Sequence, residues 1–157
     1  MKSILIADDS LFMRQMLKEL LPRDKFFVIG EASTGKEALA KYSQLNPDLV
    51  TMDITMPDMD GIAAVKKIIE LNSAAKIIMV SAMGQKPMIK EALEAGAKDF
   101  IVKPFDREKI ISVLNNLQEL LWQERRVYLY VKIVGQNSQN GWENVLLVEH
   151  GVLLLKR

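Results

Sequence analysis

Five polar side chains stand where short apolar runs end. Asp8 and Asp9 follow Ile4 to Ala7, Asp53 follows Leu49 to Met52, Ser81 follows Ile77 to Val80, and Lys103 follows Phe100 to Val102. Two or three carboxylates crowded together repel, and burial raises at least one pKa unless a cation shares the space. A hard, oxygen-seeking Mg2+ meets that need, because it accepts one or two carboxylates and keeps waters that a phosphate can replace. Beside it, Asp53 can act as a nucleophile towards a phosphoryl group, since carboxylates form aspartyl phosphates. Lys103 then supplies counter-charge for the transferred oxygens, and the Ser81 hydroxyl donates a hydrogen bond to one of them. The set reads as metal-assisted phosphoryl transfer onto Asp53. Taken singly, Asp9 or Ser10 can be a helix cap, Lys103 a solvated surface cation and Ser81 a turn residue. Their joint placement at four strand ends favours the chemical reading.

That placement depends on the elements between them. Ile4 to Ala7, Phe26 to Ile29, Leu49 to Met52, Ile77 to Val80 and Phe100 to Val102 recur at near-even intervals, and each reads as a strand buried on both faces. The intervening stretches carry helical stripes, such as Phe12, Met13, Met16, Leu17 and Leu20, then Ala38, Leu39, Tyr42 and Leu45, and later Ile110, Val113, Leu114, Leu117 and Leu121. Strands alternating with such helices imply an α/β doubly wound (βα)5 parallel sheet with helices on both faces, over residues 1 to about 118. In a sheet of this kind function collects at the carboxyl ends of the strands, so the five polar residues are expected on one rim.

Composition narrows the class. The chain has 157 residues, 21 Lys+Arg against 20 Asp+Glu, and no cysteine. A net charge of +1 creates no global field for nucleic acid or anionic lipid. The lack of cysteine removes disulfides, thiol catalysis and cysteine-ligated metals, and it fits a reducing compartment, so a cytoplasmic location is expected. Ile4 to Ala7 meets Asp8 and Asp9 before a signal-peptide core can form. Val145 to Leu155 carries Glu149 and His150 and falls short of the ~18 apolar residues of a spanning helix. No membrane insertion is expected.

With these residues in view, Asp8-Asp9, the run Asp53-Ile54-Thr55-Met56-Pro57-Asp58-Met59-Asp60-Gly61, Ser81-Ala82 and Lys103-Pro104-Phe105 resemble the receiver domain of two-component response regulators. Within that family the resemblance is greatest to the chemotaxis, CheY-like type, and it covers residues 1–118. It implies a flavodoxin-like sheet of strand order 2-1-3-4-5. It also implies that Asp53 accepts phosphate from the phosphohistidine of a histidine kinase in a phosphorelay, the chain catalysing only its own phosphorylation and dephosphorylation. Asp9, Asp53 and the backbone carbonyl of Thr55 would bind Mg2+, Asp8 would hold a metal-bound water, and Ser81 and Lys103 would contact the phosphoryl group. A cis peptide is implied at Lys103-Pro104. Phe100 takes the place of the family's aromatic switch, which swings inward as Ser81 moves towards the phosphate; many members have tyrosine there, so a hydroxyl is missing. The implied output surface, near Lys86 to Ala95, Phe100 and Asp106 to Leu117, would meet a downstream protein target such as the flagellar switch.

Two enzymatic alternatives use parts of the same pattern. Gly30-Glu31-Ala32-Ser33-Thr34-Gly35-Lys36 nearly spells a phosphate-binding loop, but Glu37 stands where Ser or Thr must bind Mg2+. The plainer reading is a cap on the second helix by Ser33 or Thr34. A haloacid-dehalogenase-like phosphatase also uses an Asp after a strand, a Ser/Thr and a Lys, but it resembles this chain less, because Thr55 stands where that family has a second Asp.

Beyond about Gln118 the composition shifts. All nine methionines precede that point and both tryptophans, Trp122 and Trp142, follow it. Residues 119–157 read as a short strand-rich C-terminal extension, with strands Val127 to Val134 and Val145 to Leu155 joined through Gly135 to Gly141. A lone hairpin is marginal in water, so the extension is expected to pack on the first domain or on a second chain as a homodimer. It resembles no DNA-binding domain, and DNA is not expected as a partner. His150, the single histidine, reads as a surface or interface residue.

Overall fold

β1 (Lys2–Ala7), β2 (Phe26–Ala32), β3 (Leu49–Met52), β4 (Ile77–Ser81) and β5 (Asp99–Val102) pair in parallel, in the order β2-β1-β3-β4-β5. This computed structural model describes residues 1–82, 84–117, 147–149 and 152–154. Parallel neighbours require long crossovers. These contain α1 (Leu11–Leu20), α2 (Gly35–Leu45), α3 (Gly61–Leu71) and α4 (Lys86–Glu94), and a fifth helix, α5, covers residues 107–117. The architecture is flavodoxin-like with five strands and five helices.

The central strands β1, β3 and β4 are buried along nearly their whole length, as apolar runs covered on both faces must be. β2 departs from the sequence expectation of burial on both faces. It has one hydrogen-bonded neighbour and lies at the sheet edge, where the helices cover it incompletely, so Phe27 and Ile29 remain 44% and 36% exposed.

Alternation along the strands sorts the core. Leu5, Ala7, Val50, Met52, Ile77, Met79 and Phe100 join a cluster with residues of α2, α3 and α4, among them Tyr42, Val65, Ile68 and Ala92. The intervening Ile4, Ile6, Ile78, Val80 and Ile101 point to the opposite face and are also buried. Each fully buried Ile or Leu contributes roughly 1.5–3 kcal/mol relative to an exposed one.

The helix starts follow local polar chemistry. Ser10 accepts from the Met13 N–H, Thr34 from Glu37, Asp60 from Ala63 and Asp106 from Lys109, each satisfying a first-turn donor that lacks a helical partner. α4 has no side-chain cap, and Pro87 in its first turn removes a donor that would otherwise need one.

The chain divides into two units, Met1–Leu114 and Asn115–Arg157, so the division falls within α5, slightly before the boundary expected from composition. In the second unit β6 (Leu147–Glu149) pairs antiparallel with β7 (Val152–Leu154), with Leu147 opposite Leu154 and Glu149 opposite Val152. The single strand expected over Val145 to Leu155 is therefore two strands. The overlooked signal is Gly151, a residue that favours two-residue reversals. The expected strand at 127–134, the turn at 135–141 and His150 lie outside the described residues.

Candidate functional site

Strand register levels the rim. Ala7 pairs with both Ala32 and Met52, Met52 with Met79, and Ser81 with Val102. Asp8, Asp53 and Lys103 are each the next residue after one of these strand ends. Their backbone N–H groups extend the ladder by one step: Asp8 to Ala32 O at 3.0 Å, Asp53 to Ala7 O at 2.8 Å and Lys103 to Ser81 O at 2.8 Å. The side chains therefore start from fixed points at the ends of β1, β3 and β5.

Asp8, Asp9 and Asp53 bring carboxylate oxygens within 4.8 Å of one another. Asp8 and Asp53 are buried, and Asp9 is exposed. Asp8 Oδ1 accepts from the Ser10 N–H at 2.9 Å, and its Oδ2 accepts from Lys103 Nζ at 2.7 Å. Asp53 Oδ1 lies 3.4 Å from the same ammonium. Burial pushes the Asp53 carboxyl above the usual carboxylate range; Lys103 opposes that shift and the neighbouring Asp8 charge adds to it. One ammonium among three acids leaves a surplus of negative charge, and an all-oxygen donor set of this kind can hold a hard divalent cation.

The remaining expected residues fall around this centre. Ser81 is buried at the last position of β4, Thr55 is exposed in the loop after β3, and the Lys103-Pro104 peptide is cis. Phe100 pairs with Met79 and lies 9% exposed in the core beneath the rim. The near phosphate-binding loop is occupied by its own side chains: Thr34 caps α2, and the Glu37 carboxylate accepts from the Ser33 N–H and hydroxyl and from Lys41.

Two neighbours, Gly61 at the end of the Asp53 to Gly61 run and Arg14, have contacts that the sequence does not signal. Gly61 approaches so closely that a Cβ there would lie 1.9 Å from the Asp53 carbonyl oxygen, and its N–H donates to Ile54 O at 2.8 Å. Arg14 reaches from α1 to the backbone of Asp8 and Asp9. Neither leaves a pattern: a close approach and a bond to a carbonyl show only in three dimensions.

A doubly wound sheet whose carboxyl rim gathers three acids and a lysine defines the receiver class of signalling domains. The family model described as response regulator receiver domain matches residues 4–115, and the chain belongs to this family. It is closely related to the chemotaxis response regulators. Chemotaxis protein CheY of Thermotoga maritima is 52% identical over 118 residues, 75% of this chain and 98% of the relative. Chemotaxis protein CheY of Bacillus subtilis is 54% identical over 112 residues, 71% of this chain and 93% of the relative. The crystal structure of the CheX-CheY-BeF3-Mg+2 complex from Borrelia burgdorferi matches with a TM-score of 0.71 and 42% identity, covering 74% of this chain and 88% of that one.

The family is one of signalling switches rather than turnover enzymes. The matches lend no support to the haloacid-dehalogenase-like phosphatase, whose second acid is replaced by Thr55. Among the described residues no helix is long and apolar enough to cross a membrane.

Proposed function

We propose that this chain is the phosphoacceptor switch of a histidine-kinase phosphorelay, with Asp53 as acceptor, working in chemotaxis or motility signalling in the cytoplasm. The observation that carries this reading is Asp53 itself, a buried carboxylate 3.4 Å from Lys103 Nζ and within 4.8 Å of the oxygens of Asp8 and Asp9. An Asp53 oxygen forms a bond to phosphorus as the phosphorus–nitrogen bond of the kinase phosphohistidine breaks, the electron pair leaving with the imidazole. Asp9, Asp53 and the Thr55 backbone carbonyl would hold Mg2+, with Asp8 holding a metal-bound water, and the ion would supply the positive charge that lets a phosphoryl group approach these acids. Lys103 balances the transferred oxygens, and Ser81 donates a hydrogen bond to one of them. Hydrolysis of the acyl phosphate resets the switch.

The phosphoryl group adds about −1.5 to −2 charge at neutral pH. A full shift from 1:99 to 99:1 needs about 5.5 kcal/mol, whereas one charge-assisted hydrogen bond from Ser81 supplies about 1.5–3 kcal/mol. Repacking of the already buried Phe100, the Lys103 contact and the downstream partner share the remainder. That partner, in the chemotaxis reading the flagellar switch, meets the face of α4, β5 and α5. The receiver occupies residues 1–118, and residues 119–157 are an appended element that supports homodimer formation.

Incubation with acetyl phosphate and Mg2+ tests the chemistry by intact mass. Wild type gains one phosphoryl group and Asp53→Asn gains none. No gain in wild type, or equal gain in the variant, overturns the reading. Light scattering of the full chain against residues 1–118 tests the dimer.

A further inference from the structure

Arg14 lies in the first turn of α1, and helical side chains lean towards the helix N-terminus. Its guanidinium therefore folds back over the β1–α1 junction. Nη1 donates to Asp8 O at 2.7 Å and to Asp9 O at a longer 3.4 Å, and Nε donates to Glu31 Oε2 at 3.0 Å. The side chain is 14% exposed. Glu31 is itself anchored, because Lys18 pairs with its carboxylate and Lys41 donates to its backbone carbonyl. A planar fork holds its donors in fixed directions towards these acceptors, whereas an ammonium is a rotatable point charge.

The two acids at this junction differ in how they are held. Both Asp8 oxygens have partners. The Asp9 carboxylate makes no hydrogen bond or ion pair among the described residues, so its direction comes from its backbone, whose carbonyl Arg14 contacts.

We propose that Arg14 is a positioning residue for the cation site: gripping the carbonyls of Asp8 and Asp9 while anchored on Glu31, it holds the consecutive acids so that their carboxylates converge on Asp53. This rests on the reading of the cluster as a Mg2+ site. Electrostatics alone predicts the opposite outcome on removal of Arg14, since losing a cation beside three acids strengthens their attraction for Mg2+. Loss of positioning weakens binding instead, and the sign separates the two.

The test is calorimetric titration of Mg2+ into the full chain near neutral pH, with urea unfolding of each variant in parallel. Arg14→Gln is expected to weaken binding about 10-fold or more, the scale seen when groups that orient metal ligands are removed. Lys18→Met removes another cation from Glu31 without touching Asp8 or Asp9, and it is expected not to weaken binding. Arg14→Lys keeps the charge, loses the fork and is expected to bind more weakly than wild type; it decides the matter if Arg14→Gln fails to fold. With a binding wild type, unchanged or tighter binding in the Arg14 variants overturns the role of Arg14, as does equal weakening by Lys18→Met. A wild type that takes up no Mg2+ overturns the cation-site reading and this inference with it.

Discussion

Lys103 and Asp8, 95 positions apart in the chain, are joined by a 2.7 Å hydrogen bond between opposite charges. Asp53 stands 3.4 Å from the same ammonium and receives the weaker share of it. The acceptor carboxylate is thus buried beside a second acid whose claim on the lysine is stronger.

Without a divalent cation, that arrangement makes ionised Asp53 a burden on the fold. Its carboxyl is raised by burial first, with Lys103 opposing and Asp8 reinforcing. A raised folded-state value means that the stability it confers is full below the ordinary carboxylate pKa and is lost as pH rises through the folded value. Asp53→Asn is therefore expected to be more stable than wild type in EDTA at neutral pH, with the difference vanishing below roughly pH 4. Urea unfolding at both pH values measures it, and a variant less stable at neutral pH counts against the account.

Gly61→Ala would place a methyl carbon 1.9 Å from the Asp53 carbonyl oxygen, a backbone atom that cannot rotate away. The loop after β3 must shift, at an expected cost of about 2 kcal/mol or more. Labelling of Asp53 by acetyl phosphate should slow as well, because the acceptor moves with its backbone. Urea unfolding and the labelling rate check the two effects separately, and wild-type values in both contradict the close approach.

Glu37 is the third case. Lys41 first, then the Ser33 backbone, hold its carboxyl down at about 2, against 4.5 ordinarily. Its stabilisation is complete above the ordinary value and is lost as pH falls from there through about 2. The carboxylate is more than a third exposed, so solvent screens the effect, and Glu37→Gln should cost of order 1 kcal/mol near neutral pH. The gap should narrow by about pH 3. A pH-independent gap would show that the group acts through packing alone.

The strands were readable because a buried parallel strand must be a short, continuous apolar run, and Leu49–Met52 is bounded in the structure as it is in the sequence. The rim residues were readable for a related reason: a polar residue immediately after such a run has little choice but the strand end. Exposure of Phe27 and Ile29 was not readable from the strand's own residues, since the edge position belongs to strand order, which only the family resemblance implied. The reversal between Glu149 and Val152 was hidden because the apolar runs Val145 to Val148 and Val152 to Leu155 lie so close together that they read as one strand. Arg14 and Gly61 act on main-chain oxygens, which every residue has, so side-chain spacing cannot reveal them.

The amides of Asp8, Asp53 and Lys103 each donate across to the neighbouring strand. The Asp53 proton bridges the central strands β3 and β1, so it exchanges with deuterated solvent only when those strands separate, an opening that approaches global unfolding in free energy. Mild destabilisation far away, by a trimmed core side chain for instance, should thus reduce the population of intact molecules while the survivors keep the same rim. Loss of signalling in such a mutant would reflect abundance rather than a loosened centre.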